Sequence, residues 1–345
     1  MKHVCEYKKI KDVCTKGSSN LQQKKIVEFL GNYPVFGASG FVQNINTYQQ
    51  EKPYIGIVKD GSGVGRVNTY PAKSSLLGTM QYIIPNNNMN IGYVAYCLQS
   101  LQLSKYASGA AIPHIYFRDY GETYIPVPPL PVQEQICSLL DKLNLLIEKK
   151  KEQVAELDNL AQSLFYDMFG DPVVNEKGWA TRPFEECIQT VKYTTKIKSN
   201  NFLKQGLYPI ISQEEEYISG FWNDETDVFK VNSPVVIFGD HTRVLKYVDF
   251  DFVLGADGVK ILLPIPEIDA WYLFHFLKAY KIPSLGYSRH YKLLKEIDFL
   301  LPPLSLQKAF AKKVEAIERQ KELINQSIKD VQTLFDAKMD YYFGD

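Results

Sequence analysis

Apolar residues recur in alternating steps of four and three along two long stretches of the chain. The apolar positions of the first series include Ile136, Leu140, Leu143, Ile147, Val154, Leu157 and Leu164, and those of the second include Phe310, Val314, Ile317, Ile324, Ile328, Val331 and Phe335. Charged residues fill the intervening positions, as is typical of a coiled-coil seam. The pattern predicts two helices of about 35 residues, each roughly 50 Å long.

The two series have matching flanks, which indicates an internal repeat. The segment 127–133 (VPPLPVQ) recurs at 301–307 (LPPLSLQ), and Phe-Gly-Asp at 169–171 recurs at 343–345, both with an offset of 174 residues. The proline pair favours an extended segment that ends where a helix begins, and the glycine is typical of a helix end. Two unrelated amphipathic helices are the alternative, and the equal lengths and matching flanks disfavour it.

The segments before the two helices also correspond, more loosely but in the same order. Tyr33-Pro34 matches Tyr208-Pro209, buried strand patterns fall at 54–58 and 235–238, and short helical patterns at 91–100 and 270–280. Each half is therefore predicted to be α+β, and its strand order does not follow from the sequence. We expect two mixed α/β domains at 1–131 and 172–305, separated by two long helices at 132–171 and 306–345 that pack as an antiparallel coiled coil with internal pseudo-two-fold symmetry.

Composition narrows the class of protein. The chain is 45% apolar and 13% aromatic, enough for two cores. No apolar run reaches the roughly 18–20 residues that span a bilayer, and the first residues do not have the pattern of a signal peptide. The five cysteines never form a CxxC pair, which favours a reducing cytoplasm over a disulfide framework or zinc site.

Charge is spread unevenly although the net charge is zero. Residues 1–130 carry a net charge of +6, residues 131–171 of −4, residues 172–304 of −2, and the remainder is neutral. A basic first half beside an acidic helix points weakly to a polyanionic partner for the first half.

A search for catalytic motifs finds none that the chain supports. The glycine-rich segment 61–65 lacks the GK[ST] of a phosphate loop, and it is interpreted as a tight turn that presents Arg66. The segment 36–40 resembles a methyl-donor loop only faintly, since its partner motif is missing. The histidines have no metal-ligand spacing. We therefore predict no catalytic residue and no metal site.

Cationic residues and histidines instead occupy corresponding loops of the two halves. Arg and Lys in loops contact phosphates or guanine edges, and 23 tyrosines are available for stacking. Solvated surface charge is the alternative for any one residue, but the recurrence in register favours recognition. The candidate DNA-binding residues are Lys59, Arg66, Lys73, Lys105, His114 and Arg118 in the first half, and Lys192, Lys196, Lys198, His241, Arg243, Lys246, Arg289, His290 and Lys292 in the second.

Two motifs at the ends of the first long helix are similar to those of a known family. Pro-Pro-Leu-Pro-Val-Gln-Glu-Gln at 128–135 opens the first helix, and Leu-Phe-Tyr-Asp-Met-Phe-Gly-Asp at 164–171 closes it. With two such helices after α+β halves, the chain resembles, over essentially its whole length, the specificity (S) subunit of type I restriction–modification enzymes. The second copy departs from the motif at Ser305 and at Lys308-Ala309.

The resemblance implies a non-catalytic subunit in which each α+β half is a target recognition domain for one half of a bipartite, asymmetric DNA site. It implies that the helices set the spacing and dock two modification subunits, which bind S-adenosylmethionine and methylate adenine at N6. Restriction subunits, when present, would bring ATP and Mg²⁺. The chain itself would hold no cofactor.

The sequence is also compatible with two other classes of protein. One is a coiled-coil scaffold whose heads bind proteins and not DNA. The other is a self-contained methyltransferase or nuclease with an unrecognised site. Sequence preference on duplex DNA distinguishes the first from the specificity subunit, and S-adenosylmethionine binding by the isolated chain distinguishes the second.

Overall fold

The computed structural model describes residues 5–26, 30–109, 112–255, 258–286 and 288–344. The chain divides into two compact units, the first formed by Met1–Lys150 with Gln326–Asp345 and the second by Lys151–Asn325. Each unit holds one globular head, part of the first long helix and part of the second. Some residues of the predicted repeat, Ala110, Ala111, Tyr287 and Asp345, lie outside the described residues.

The helices and strands follow the order of the predicted repeat. The helices are α1 (Ile10–Val13), α2 (Gln23–Ile26), α3 (Ile91–Ser100), α4 (Phe117–Tyr120), α5 (Leu130–Phe169), α6 (Ala270–Tyr280), α7 (Tyr291–Lys295) and α8 (Leu304–Phe343). The strands of the first unit are β1 (Glu6–Lys9), β2 (Cys14–Ser18), β3 (Leu30–Gly37), β4 (Gly40–Ile45), β5 (Tyr54–Val58), β6 (Val67–Tyr70), β7 (Ser75–Leu76), β8 (Met80–Pro85) and β9 (Tyr124–Val127). Those of the second unit are β10 (Thr181–Pro183), β11 (Ile188–Gln189), β12 (Lys196–Ile197), β13 (Tyr208–Ile211), β14 (Gly220–Trp222), β15 (Val228–Phe229), β16 (Val235–Gly239), β17 (Leu245–Val248), β18 (Phe252–Gly255), β19 (Val259–Pro264) and β20 (Asp298–Leu300).

The sheets show the duplication that the sequence predicted. In the first unit an antiparallel sheet has the order β2-β8-β5-β6, and the second unit repeats it as β11-β19-β16-β17. The β3–β4 hairpin, joined in parallel by β7, corresponds to the β13–β14 hairpin joined in parallel by β18. Both heads are therefore α+β domains of one topology, with β12 and β15 additional in the second.

Each head forms its core between the central sheet and one short helix. Strands β5 and β16 are buried along their whole length, and α3 and α6 contribute most of their residues to the main apolar clusters. Both helices begin at a side-chain cap, because Asn90 accepts a hydrogen bond from the backbone N–H of Tyr93 and Asp269 accepts from those of Trp271 and Tyr272. The bounds of α3 and α6 agree with the predicted helical patterns.

The long helices α5 and α8 each have 40 residues. They start directly after the proline pairs, because a proline restrains the residue before it to an extended backbone. Pro131 lies in the first turn of α5, where the missing N–H of a proline costs no helical hydrogen bond. Helix α5 stops at Gly170, whose φ of 80° and N–H bond to the carbonyl of Tyr166 form a left-handed cap. None of the predicted seam residues is exposed.

Within each unit the helices pair antiparallel. In the second unit Phe310 of α8 contacts Phe165 and Phe169 near the end of α5, while Lys321 donates to Asp158 Oδ1 at 2.8 Å further back along α5. Residue numbers thus rise on one helix as they fall on the other. In the first unit the early turns of α5 (Ile136, Leu140) share an apolar cluster with the last turns of α8.

The glutamine of each repeated Pro-Pro-Leu-x-x-Gln motif ties a helix to its head. Gln133 is 1% exposed, and its Oε1 accepts from the N–H of Asn90 while its Nε2 donates to the carbonyl of Pro128. Gln307 is fully buried and does the same with Asp269 and Pro302. The motif therefore fixes the capped start of α3 or α6 against the first turn of the long helix.

One position differs sharply between the two units. Trp179, two residues before β10, packs on the aromatic cluster of the second unit and donates from Nε1 to the carbonyl of Phe169 at 2.9 Å. The strand pairs Tyr7–Pro126 and Thr181–Leu300 are equivalent in the two units. Cys5, two residues before Tyr7, is therefore the equivalent of Trp179, two residues before Thr181. A groove of about 270 Å³ lies beside Cys5, lined by residues that include Tyr93, Val132 and Tyr342. The first unit therefore lacks the indole that fills this place in the second.

His275 of α6 makes the second unit sensitive to acid. It is 4% exposed and packs edge-on against Phe310, and burial, with Lys278 and Lys321 nearby, lowers its pKa from 6.5 to about 3. The unfolded chain therefore binds a proton at this residue between pH 6.5 and 3 that the folded chain does not, so stability falls as pH falls through this window.

We expect His275→Phe to reduce this loss. Urea unfolding at pH 7.5 and at pH 5 should show the wild type losing about 2 kcal/mol more between the two pH values than the variant, because one displaced proton contributes roughly 1.4 kcal/mol per pH unit. Equal losses in the two proteins would contradict a neutral, buried His275.

Candidate nucleic-acid interface

In the first head, a loop and a strand end meet at an aspartate–histidine pair. Strand β5 ends at Val58, and the loop 112–116 closes over the residues that follow it through backbone bonds from Ile115 N–H to the Lys59 carbonyl and from Gly61 N–H to the Pro113 carbonyl. The Oδ1 atom of Asp60 lies 2.9 Å from Nδ1 of His114. We call Asp60 and His114 the first junction.

The first junction borders a cationic groove of about 270 Å³. Tyr116 is 43% exposed, with the His114 ring edge-on at 4.3 Å and the Arg118 guanidinium over its face at 4.5 Å. Lys59 Nζ is 3.8 Å from Asp60 Oδ2. The residues that line the groove are Lys16, Lys59, Asp60, Gln81, His114, Ile115, Tyr116, Phe117 and Arg118.

The second head has an aspartate–histidine contact at the same strand end, but in a different register. Asp240 takes the place of Lys59, because its N–H bonds to the Gly258 carbonyl as that of Lys59 bonds to the Thr79 carbonyl. Asp240 is 2% exposed, and His290 is fully buried. His290 Nδ1 donates to the Asp240 carbonyl at 2.9 Å, and Nε2 accepts from the N–H of Leu285 at 2.9 Å. The imidazole is therefore neutral with both nitrogens used. The Asp240 carboxylate accepts from Tyr291 N–H at 2.7 Å.

Two further candidates of the second head also support loops. Lys246 is 3% exposed, and its ammonium donates to the carbonyls of Ser212 and Glu216; burial lowers its pKa to about 8. Arg243 has a left-handed backbone (φ 64°) and donates from Nη1 to the Ile282 carbonyl at 3.0 Å. Lys246 and His290 have no face toward solvent, so in this structure they hold loops together and cannot touch a DNA phosphate.

The remaining candidates are spread over several elements of the two heads. Arg66 is exposed and folds over its own turn, with Nε 3.4 Å from the Gly63 carbonyl, as the tight-turn interpretation of 61–65 predicted. Lys105 and Lys196 lie over the rings of Tyr106 and Tyr193. The exposed candidates without such a ring contact in the described structure are Lys73, Lys192, Lys198, Arg289 and Lys292. His241 is half-buried, and its backbone N–H donates to Gln213.

The structure thus brings Lys59, His114 and Arg118 into one groove and leaves Arg66, Lys73 and Lys105 outside its lining. Sequence reasoning missed Asp60, Asp240 and Tyr116. A usable signal was present, since each copy has an aspartate just after its buried central strand and a histidine in its last polar turn. Asp60 is the acid that orients His114.

Neither a metal site nor a membrane span emerges from the described ranges. No three of their His, Cys, Asp and Glu side chains gather into a group able to hold a metal ion. None of the helices within these ranges combines the length and the apolar character that crossing a membrane requires.

Comparison with known proteins agrees with the duplicated architecture. The family model described as the type I restriction modification DNA specificity domain matches residues 4–157 and again residues 176–333. The chain belongs to this family. Each match takes in one head and most of the long helix that follows it, so the family unit is the unit that the sequence repeats.

Similar proteins include two specificity subunits. The type I restriction enzyme MjaVIII specificity subunit of Methanocaldococcus jannaschii is 22% identical over 328 residues, which cover 80% of this chain and 76% of that protein. The putative type I specificity subunit S.MpnORF507P of Mycoplasma pneumoniae is 25% identical over 323 residues, covering 88% and 86%.

Solved structures share the fold. The S subunit of the type I restriction–modification system of M. genitalium superposes with a TM-score of 0.63 at 16% identity, covering 99% of this chain and 96% of that one. A chain from a structure on complex assembly and conformational transition of the type I R-M system gives a TM-score of 0.55 at 14% identity, with 98% and 97% covered.

Proposed function

We propose that this chain is the non-catalytic DNA-recognition subunit of a type I restriction–modification complex, in which each head reads one half of a bipartite, asymmetric site. The observation that carries the proposal is a repeated backbone link between the end of the central strand and the last loop, from Ile115 N–H to the Lys59 carbonyl in the first head and from His290 N–H to the Asp240 carbonyl in the second. Exposed cations lie in or next to the short helix that follows this link, Arg118 in the first head and Arg289 and Lys292 in the second. Cations on loops supply phosphate and base-edge contacts.

Divergence of the two heads supports an asymmetric site. Asp60 and His114 are partly exposed in the first head, whereas Asp240 and His290 are buried in the second. The eight residues between β13 and β14 include three glutamates where the β3–β4 hairpin has the two-residue turn Ala38-Ser39. Surfaces that differ this much do not present the same contacts. Two heads of one topology would therefore read two different half-sites.

The long helices suit contact with protein more than with DNA. Residues 131–171 carry a net charge of −4, which disfavours the phosphate backbone. Leu145 is 54% exposed and Leu323 is 73% exposed on the outer faces of the helices, and exposed apolar groups of this kind favour a protein partner. We assign these faces to two modification subunits, with the helices as the spacer between half-sites.

We expect an exchange of residues 172–303 for the second head of another family member to alter one half of the methylated motif and leave the other unchanged. The exchange keeps α8 intact from Leu304, so the spacer and its docking faces are preserved. Methylated-motif sequencing of DNA from cells that express the chimera with the modification subunit measures the result.

The reciprocal exchange of residues 1–129 is the matched control, and it should alter only the other half. Changes in both halves from either exchange, or in neither, would contradict the assignment of one head to each half-site. A wild-type complex without any sequence preference would favour a protein scaffold instead.

A further inference from the structure

The side chain of His114 is held in one orientation and one tautomer. A carboxylate only accepts hydrogen bonds, so the contact between Asp60 Oδ1 and Nδ1 at 2.9 Å places a proton on Nδ1. The backbone of His114 is fixed as well, since it exchanges two hydrogen bonds with Ser108 at 2.9 and 3.0 Å. Nothing in the described part of the chain hydrogen-bonds the opposite nitrogen, Nε2.

The surroundings of His114 fit a polynucleotide. Lys16, Lys59 and Arg118 line the same groove, and they supply positive charge where a phosphate backbone approaches. The half-exposed ring of Tyr116, flanked by His114 and Arg118, adds a flat aromatic wall. The side chain of His114 itself is 31% exposed, so its free nitrogen is reachable.

The second head differs from the first at this place. The N–H of His290 bonds to the Asp240 carbonyl as that of Ile115 bonds to the Lys59 carbonyl, so His290 takes the place of Ile115 and not of His114. Both ring nitrogens of His290 are used by the backbone, and its ring is buried. The two heads therefore place different side chains beside the same backbone link.

We propose that His114 reads a base edge in the half-site of the first head, and that Asp60 is its positioning residue. This inference rests on the proposed function. With the proton held on Nδ1, an unprotonated Nε2 is an acceptor, which matches the exocyclic amino group of adenine or cytosine in the major groove. Tyr116 and Arg118 flank that contact, and Lys16 and Lys59 hold the neighbouring phosphates.

Asp60→Asn tests the assignment, because it removes the carboxylate that keeps the proton on Nδ1. The new amide donates to Nδ1, the proton moves to Nε2, and the preference shifts from amino-bearing bases toward guanine or thymine. The purified complex with the modification subunits is given a duplex library with both half-sites randomised. Sequencing of methylated molecules should show discrimination at one base position of one half-site falling about tenfold.

His114→Ala should remove discrimination at the same position without creating a new preference. Asp119→Asn is the matched control, since it removes the same charge from the adjacent helix α4 at a carboxylate that contacts Arg118 and not the imidazole. It should leave the motif unchanged. Melting temperatures close to that of the wild type confirm that each variant is folded.

The outcomes separate the inference from the function on which it rests. A changed preference at one position, with the second half-site intact, supports the reading role. An unchanged motif in both Asp60→Asn and His114→Ala, or a uniform drop in methylation with the same base preferences, would overturn it while leaving the proposed function in place. A wild-type complex that methylates without sequence preference overturns both.

Discussion

Replacing Gln307 by alanine is expected to lower the free energy of unfolding by roughly 3 kcal/mol, because a buried group that loses its only partner costs about 1–3 kcal/mol. The substitution leaves the N–H of Asp269 and the carbonyl of Pro302 without the amide that joins them, in a place where Gln307 is fully buried. It also removes the bond from Nε2 to the Glu267 carbonyl at 3.2 Å. Urea unfolding measures the loss.

The chain provides two controls for this prediction. Gln320→Ala changes the same residue type on the same helix at an exposed position, and it should change stability by less than about 0.5 kcal/mol. Gln133→Ala removes the equivalent tie in the first unit and should cost a similar amount to Gln307→Ala. A cost for Gln307→Ala no larger than that of Gln320→Ala would show that the motif does not hold helix and head together.

Trp179→Cys and Cys5→Trp exchange the residues of two equivalent positions, and they should change the stability of the protein in opposite directions. Trp179→Cys deletes an indole that packs on the Phe165–Phe169 cluster and donates to the Phe169 carbonyl. We expect a loss of about 2–3 kcal/mol, the range for removing most of a partly buried aromatic side chain. Thermal unfolding gives the measurement.

Cys5→Trp is the reciprocal change in the first unit. The groove of about 270 Å³ beside Cys5 is lined mainly by apolar and aromatic side chains, and an indole placed there should gain roughly 1 kcal/mol. A lower melting temperature for Cys5→Trp would mean that the groove does not accept an indole in the way that the second unit does. An unchanged melting temperature for Trp179→Cys would likewise contradict the packing role of Trp179.

The two predictions concern a shared and a differing part of the repeat. The hydrogen bonds of Gln133 and Gln307 and the offset of 174 are kept in both copies, where a helix must start at a fixed place on its head. Trp179 and Cys5, by contrast, occupy a position at which the two copies differ. The proposed function needs both properties, since the copies would share the spacing and differ in their contacts.

The sequence by itself determined the duplication, the α+β class of the heads and the two long helices. These features follow from local spacing. The alternating steps of four and three, the proline pairs and the terminal glycine each influence only the residues close to them in the sequence. The proline pairs and the glycine set the ends of these helices.

Only the tertiary structure decided which of the polar residues face outward. Asp60 and His114 are 54 positions apart, and Asp240 and His290 are 50 apart, so no local pattern shows that they meet. Lys246 and His290 are buried, and they hydrogen-bond to the backbone of loops because a buried polar group must be paired. The side chain of His114 is partly exposed to solvent. The sequence shows which polar residues the chain has, but their hydrogen-bond partners depend on contacts between distant segments of the chain.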